Sequence, residues 1–249
     1  MPAIDRHRVL SAGLVTSLAL AVAACGAPPA ASPSPTTPPS AGPIELTWRF
    51  DDSLQGFAVD ITDFHAETRG ELRSELVALP APLTGNGLRV FANNYSDDLW
   101  HFLWREIGPA EGVVAGTTYR VTIALQVASN VASGCMGVGG SPDSVTLKGG
   151  VVAVQPAPVT DAEGYIGFSA DKGNQVNVGP DAVDLGTIGT DGTDCEGSSN
   201  PWEVLERSGT MTATATDDGR LWVYVGGDSG FESATTLHYL SVGVTLDPQ

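Results

Sequence analysis

Trp100, Phe102 and Trp104 stand at i, i+2 and i+4. In a β-strand that spacing places all three rings on one face, with Leu99, His101 and Leu103 on the other. Both faces are largely apolar, so such a strand is either buried twice or presents one face to a ligand. Aromatic rings in a row stack on the C–H faces of sugar rings. Asn93, Asn94, Tyr95, Asp97 and Asp98 lie immediately before the stripe and could hydrogen-bond the hydroxyls of such a ligand. The competing reading is ordinary core, because large aromatics dominate burial in a folded domain. Trp202 and Trp222 are secondary candidates for the same role.

Other reactive residue types fit catalysis less well. Gly227-Asp228-Ser229-Gly230 resembles the nucleophile turn of trypsin-like serine proteases, but Phe231-Glu232 follow where that family continues Gly-Pro. A general base is also required, and neither His65 nor His101 lies in that family's histidine motif. Gly, Asp and Ser are turn residues, which explains the stretch without chemistry. The acidic groups Asp97-Asp98, Asp161 with Glu163, and Asp191 and Asp194 with Glu196 have the composition for glycoside hydrolysis. None has the spacing of sandwich-fold glycosidases, and the last group lacks the alternation of an EF-hand calcium loop. Solvated loop acids are the plainer reading. No HExxH motif or histidine pair at ligand spacing occurs, and His238 falls on an apolar strand face as a core residue would. The sequence therefore assigns no catalytic residue and points to binding rather than catalysis.

The elements that position these residues are strands. Apolar residues recur with period two: Ile44, Leu46, Trp48 and Phe50; Phe57, Val59 and Ile61; Tyr119, Val121, Ile123, Leu125 and Val127; Leu221, Val223 and Val225. The last run, residues 236–246, puts His238, Leu240, Val242, Val244 and Leu246 on one face. Such alternation predicts strands with one buried face. Turn signals separate them, and Asp218-Gly219 between two runs predicts a hairpin. Helical periodicity is nearly absent; the best segment, residues 66–77, is interrupted by Gly70. The middle, residues 128–200, reads as loop-rich. Regular strands and turns predict an all-β fold, an antiparallel β-sandwich.

The N-terminal region has a different character. Arg6 and Arg8 precede an apolar run over residues 9–24 that ends in Val22-Ala23-Ala24-Cys25. A basic start, an apolar stretch and small residues at a cleavage point make a signal peptide, residues 1–24. The run is shorter than the roughly 20 residues that a spanning helix needs. Val22-Ala23-Ala24-Cys25 resembles the lipobox of bacterial lipoproteins. That resemblance implies acylation of Cys25, of the palmitate kind, and a membrane anchor on the extracytoplasmic face. Residues 25–43 hold this cysteine and a Pro/Ser-rich spacer, GAPPAASPSPTTPPSAGP. The spacer has no charge or large apolar residue with which to build a core, and its prolines favour an extended conformation. Residues 44–249 then form one domain.

The chain carries 12 Lys and Arg against 29 Asp and Glu, a formal charge of −17. Such a surface repels phosphate backbones, so no nucleic-acid partner is expected. After Cys25 two cysteines remain, Cys135 and Cys195. Outside the cytoplasm an even pair favours a disulfide, here a staple for the loop-rich middle.

A first strand near the start, a long central strand (117–127) and two long closing strands resemble jelly-roll carbohydrate-binding modules. That resemblance is architectural and implies sugar recognition. It also implies a structural calcium near the first strand, with Asp51 and Asp52 as ligands, although Ser241 stands where an acidic partner belongs; otherwise no cofactor is expected. The stretches 134–142 and 227–232 also resemble those of uncharacterised secreted bacterial proteins, which implies no function. The leading expectation is a lipid-anchored extracytoplasmic binding protein that recognises a carbohydrate through Trp100, Trp104, Asn93, Asn94, Asp97 and Asp98. The alternatives are a surface-tethered hydrolase using acidic residues and a structural or protein-interaction module of the envelope.

Overall fold

A computed structural model describes residues 42–249. The expected signal peptide, Cys25 and nearly all of the spacer lie outside the described residues. The strands are β1 (Ile44–Arg49), β2 (Ala58–Thr62), β3 (Phe64–His65), β4 (Glu71–Ala78), β5 (Asn86–Asn93), β6 (Leu99–Ile107), β7 (Thr118–Ser129) and β8 (Val131–Ala132). They continue as β9 (Val145–Val152), β10 (Pro158–Thr160), β11 (Tyr165–Phe168), β12 (Val183–Thr187), β13 (Gly189–Thr190), β14 (Glu203–Thr214), β15 (Leu221–Ser229) and β16 (Ala234–Pro248). Two antiparallel sheets carry the fold. The first has the order β14-β7-β16-β5-β4, with β1 also on β16; the second has the order β12-β9-β15-β6-β2. The chain passes from one sheet to the other between β5 and β6, β6 and β7, β14 and β15, and β15 and β16, a jelly-roll arrangement.

Burial follows the layers. On β7 and β14 inward residues alternate with outward ones, because the outer face of the first sheet meets solvent. On β9 and β15 every residue is buried. One face of the second sheet meets the first sheet through Leu103, Val145, Leu147, Val151, Val223 and Val225. Its other face is covered by the segment 153–182, whose Phe168, Ala170 and Ala182 pack onto Trp100, Phe102, Trp222 and Tyr224. Part of this cover is a small sheet, β10-β11-β3.

Three expectations are corrected. First, β16 does not keep one face throughout. Its pairing with β7 slips between Tyr239 and Ser241, a bulge that shifts the phase by one residue. Leu237 and Tyr239 therefore share the core with Val242, Val244 and Leu246, while His238 turns to the opposite side under Trp202. Second, the Asp218-Gly219 turn is present, with Gly219 at φ +77° and its N–H on the Thr216 carbonyl. It joins β14 and β15, however, which belong to different sheets. Turn chemistry reverses the chain locally, but burial of two apolar faces decides the pairing. Third, the middle holds β9, a central strand of the second sheet. Lys148, Gly149 and Gly150 break its apolar pattern and hide it from a period-two search. The Cys135–Cys195 disulfide is formed, with Cα atoms 5.6 Å apart.

Candidate functional site

Trp100, Phe102 and Trp104 do share one face of β6, but it is not an open platform. Trp100 and Phe102 are fully buried and Trp104 is half-buried. Phe168, carried by the covering segment, packs edge-on against three rings: Phe102 at 4.8 Å, Tyr224 at 5.0 Å and Trp100 at 6.0 Å. It occupies the place that a ligand ring would take, and each such pair adds about 0.5–1.5 kcal/mol beyond area burial. Gly226 on β15 is required here, because a Cβ would lie 2.1 Å from the His101 carbonyl and 2.7 Å from the Trp100 ring.

The polar residues before the stripe are dispersed over separate places. Asn94 is buried and donates to the Ser229 carbonyl at 3.1 Å. Asn93 ends β5 in register with Glu71 and Ala234. Asp97 is exposed at φ +62°, and its N–H binds Glu232. Only Asp98 reaches a chemically dense place.

That place is a buried charge cluster at one end of the covered face. Lys148 projects from β9 and Asp228 from β15, with Nζ 2.7 Å from Oδ2 and neither side chain exposed. Lys172, from the covering segment, contacts Asp228 Oδ2 at 2.7 Å and Asp63 Oδ2 at 2.6 Å. Its ammonium also lies over the Trp100 ring, 5.3 Å from the centroid. Asp98 completes the group: oxygens of Asp63, Asp98 and Asp228 lie within 4.8 Å of one another. Both lysines of the chain are thus inside it.

Three carboxylates face two ammoniums, so one proton balances the charge. Asp98 carries it: burial, reinforced by the charge of Asp228, pushes its pKa up to about 8. Oδ1 of Asp98 and Oδ1 of Asp228 accept no hydrogen bond among the described residues, and a proton between the two acids supplies one. Asp63 is also raised, by burial that outweighs the opposing pull of Lys172. Burial lowers Lys148, whereas for Lys172 the attraction of Asp228 and Asp63 overcomes burial and holds the group above the ordinary lysine range. The acids are close enough to share a cation, but the Lys172 ammonium already bridges two of them. The adjoining hollow, bordered by Asp63, Asp98, Tyr165 and Lys172, is about 180 Å³, below the roughly 300–1,000 Å³ of ligand pockets.

The remaining candidates make local contacts. Ser229 donates to the Phe231 carbonyl at 3.0 Å. Asp161 accepts from the N–H groups of Glu163 and Tyr165. Asp194 accepts from Ser199 and Glu196, bonds that hold its pKa below the usual carboxylate range. His101 Nε2 meets the Tyr239 hydroxyl at 3.0 Å, and burial drops its pKa to about 4. Asp51 and Asp52 are exposed, and Asp51 accepts from Arg49.

A groove with an aromatic lining lies elsewhere, beside the disulfide. It measures about 560 Å³, and its lining includes Trp202, Phe231, Asn130, Glu196, Ser198 and Thr236. Trp202 is partly exposed and stands perpendicular on His238, ring centres 4.8 Å apart. Burial, with the nearby Arg89, lowers His238 to about 4, so a neutral ring supports the tryptophan. A similar volume on the outer face of the first sheet, about 590 Å³ between Arg49, Gln126, Glu206 and Arg207, has no aromatic ring in its lining. Trp202 was legible only as an isolated tryptophan, because its neighbours in the groove come from segments far apart in the chain.

The fold is that of an antiparallel jelly-roll β-sandwich. No family model matches the chain, and no curated protein does. Among solved structures, the chain is similar to the CBM22-1 xylan-binding domain of Xyn10C from Paenibacillus barcinonensis, with 16% identity and a TM-score of 0.38 over 82% of this chain and 94% of that one. It is similar to TmCBM61 in complex with β-1,4-galactotriose at 10% identity and a TM-score of 0.33, over 76% of this chain and 86% of that one. A carbohydrate-binding module of promiscuous specificity shows 13% identity and a TM-score of 0.37, over 81% of this chain and 60% of that one. These similarities assign no role to any residue of this chain.

Proposed function

We propose that this chain is a non-enzymatic carbohydrate-binding protein, held at the extracytoplasmic face of the membrane by a lipid on Cys25. The observation that carries the sugar reading is the groove beside the disulfide. Its volume of about 560 Å³ falls within the roughly 300–1,000 Å³ of ligand sites. Trp202 and Phe231 offer ring faces for stacking. Asn130, Glu196, Ser198 and Thr236 offer the donors and acceptors that sugar hydroxyls require. This reading moves the binding role from Trp100 and Trp104 to Trp202.

The test is binding of the purified protein to a broad glycan panel. Selective binding that falls at least tenfold in Trp202→Ala, and is unchanged in Trp104→Ala, supports the groove. Absence of binding to every glycan, or loss in Trp104→Ala alone, overturns it. The anchor is tested separately by growing the producing bacterium with labelled palmitate. Label on the wild-type chain and none on Cys25→Ala is expected; an unlabelled wild-type chain removes the anchor from the proposal.

A further inference from the structure

We propose that Lys148 and Asp228 condense into an intramolecular isopeptide bond that covalently links β9 to β15. The geometry is that of a prepared reaction. The two residues lie on adjacent antiparallel strands and on the same face. Lys148 is in register with Gly226, and Asp228 with Thr146. They are therefore diagonal neighbours, within reach of a long side chain. Nζ sits 2.7 Å from Oδ2, and both side chains are inaccessible to solvent.

Amide formation between an amine and an acid fails in water because both groups are charged and water is in excess. Burial reverses these conditions. Desolvation disfavours the Lys148 ammonium, and the first step passes one of its protons across the 2.7 Å contact to Asp228, which leaves a neutral amine beside a neutral acid. Fixing the two in contact replaces a bimolecular encounter with an effectively unimolecular one. The lowered basicity of Lys148 follows the same direction.

The neighbours fit the remaining steps. The Nζ lone pair attacks Asp228 Cγ, and the carbonyl electron pair moves onto Oδ2. Lys172, 2.7 Å from that oxygen, places a fixed positive charge where the negative charge develops. Asp98 gives its proton to the departing hydroxyl, which leaves as water, and takes one from the attacking nitrogen. Asp98 ends as it began. The net change is one amine and one carboxylic acid converted to one amide and one water, without oxidant, cofactor or external energy source. Lys172 is excluded as the nucleophile because it is held as an ammonium between Asp63 and Asp228.

The test needs no variant. The full chain is purified, denatured, reduced, treated with an amine-acylating reagent and mapped by peptide mass spectrometry. The expected result is a branched peptide that joins the Lys148 and Asp228 segments and is one water lighter than their sum, with only Lys172 acylated. Linear peptides with both lysines acylated, or a branch at Lys172, overturn the proposal. Lys148→Arg must abolish the branch. Asp98→Asn must slow its appearance at least tenfold in a chain that keeps its disulfide and β-sheet circular dichroism; unchanged formation there removes Asp98 from the mechanism.

Discussion

The two sides of the second sheet are built on opposite principles. The side facing the first sheet is almost wholly apolar, with His101 and Tyr239 as a buried polar pair. The side facing the 153–182 segment mixes stacked aromatics with Lys148, Lys172, Asp63, Asp98 and Asp228. Apolar packing is tolerant: residues of about the right size suffice, and local losses stay local. A buried charge cluster stands only if every charge is answered. The inter-sheet side is therefore a scaffold, whereas the covered side is a balanced device in which each group depends on the others.

The largest expected effect breaks that balance. Asp228→Ala removes the proposed link to Lys148, leaves two buried lysines without their shared partner and costs at least about 3–5 kcal/mol, read by denaturant unfolding. A loss under about 1 kcal/mol would show that the lysines escape to solvent and that the cluster is not interdependent. Leu103→Ala, in the inter-sheet core, makes only a cavity and costs about 2–5 kcal/mol. The two differ in rescue. Refilling position 103 with Met restores most of the loss, while replacing Asp228 by an isosteric Asn does not restore the lost charge.

The next comparison is by pH. Asp98 has a folded pKa of about 8 against 3.8 unfolded. A raised acid contributes stability that is full below 3.8 and is lost as pH rises toward 8. Wild-type stability should therefore decline across that window relative to Asp98→Asn, which cannot ionise. Parallel curves would contradict a protonated Asp98. On the apolar side the sign reverses: His101, depressed from 6.5 to about 4, contributes stability that is lost as pH falls through that range. His101→Gln should remove this acid-side slope.

The smallest effect on stability is expected at Trp202, outside both regions. Trp202→Ala should change unfolding by about 1 kcal/mol or less while abolishing glycan binding. A loss comparable with that of Asp228→Ala would reassign Trp202 to the core.

Much of the scaffold was legible in the sequence. Runs such as Val121, Ile123, Leu125 and Val127 repeat every second residue, and a strand with one wet face must show that period. The disulfide followed from an even pair of cysteines behind a start that reads as a signal peptide. The charge cluster was illegible for an equally physical reason. Lysine and aspartate are normally surface residues, so Lys148 in Val145-Thr146-Leu147-Lys148-Gly149 gives no local sign of burial. The one available signal was scarcity: a chain with only two lysines, one of them inside an apolar run.

The sequence by itself determined the strands with one wet face, such as β1 and β7, the position of the Asp218-Gly219 turn and the class of fold, because alternation and turn chemistry act over a few residues. The tertiary structure alone decided that the aromatic stripe of β6 lies under Phe168, that β14 and β15 part to different sheets, and that a bulge changes the face of β16. It also decided that Lys148 meets Asp228, 80 residues away. Those outcomes depend on which surfaces are covered and by what, and burial is a property of the assembled layers rather than of any one segment.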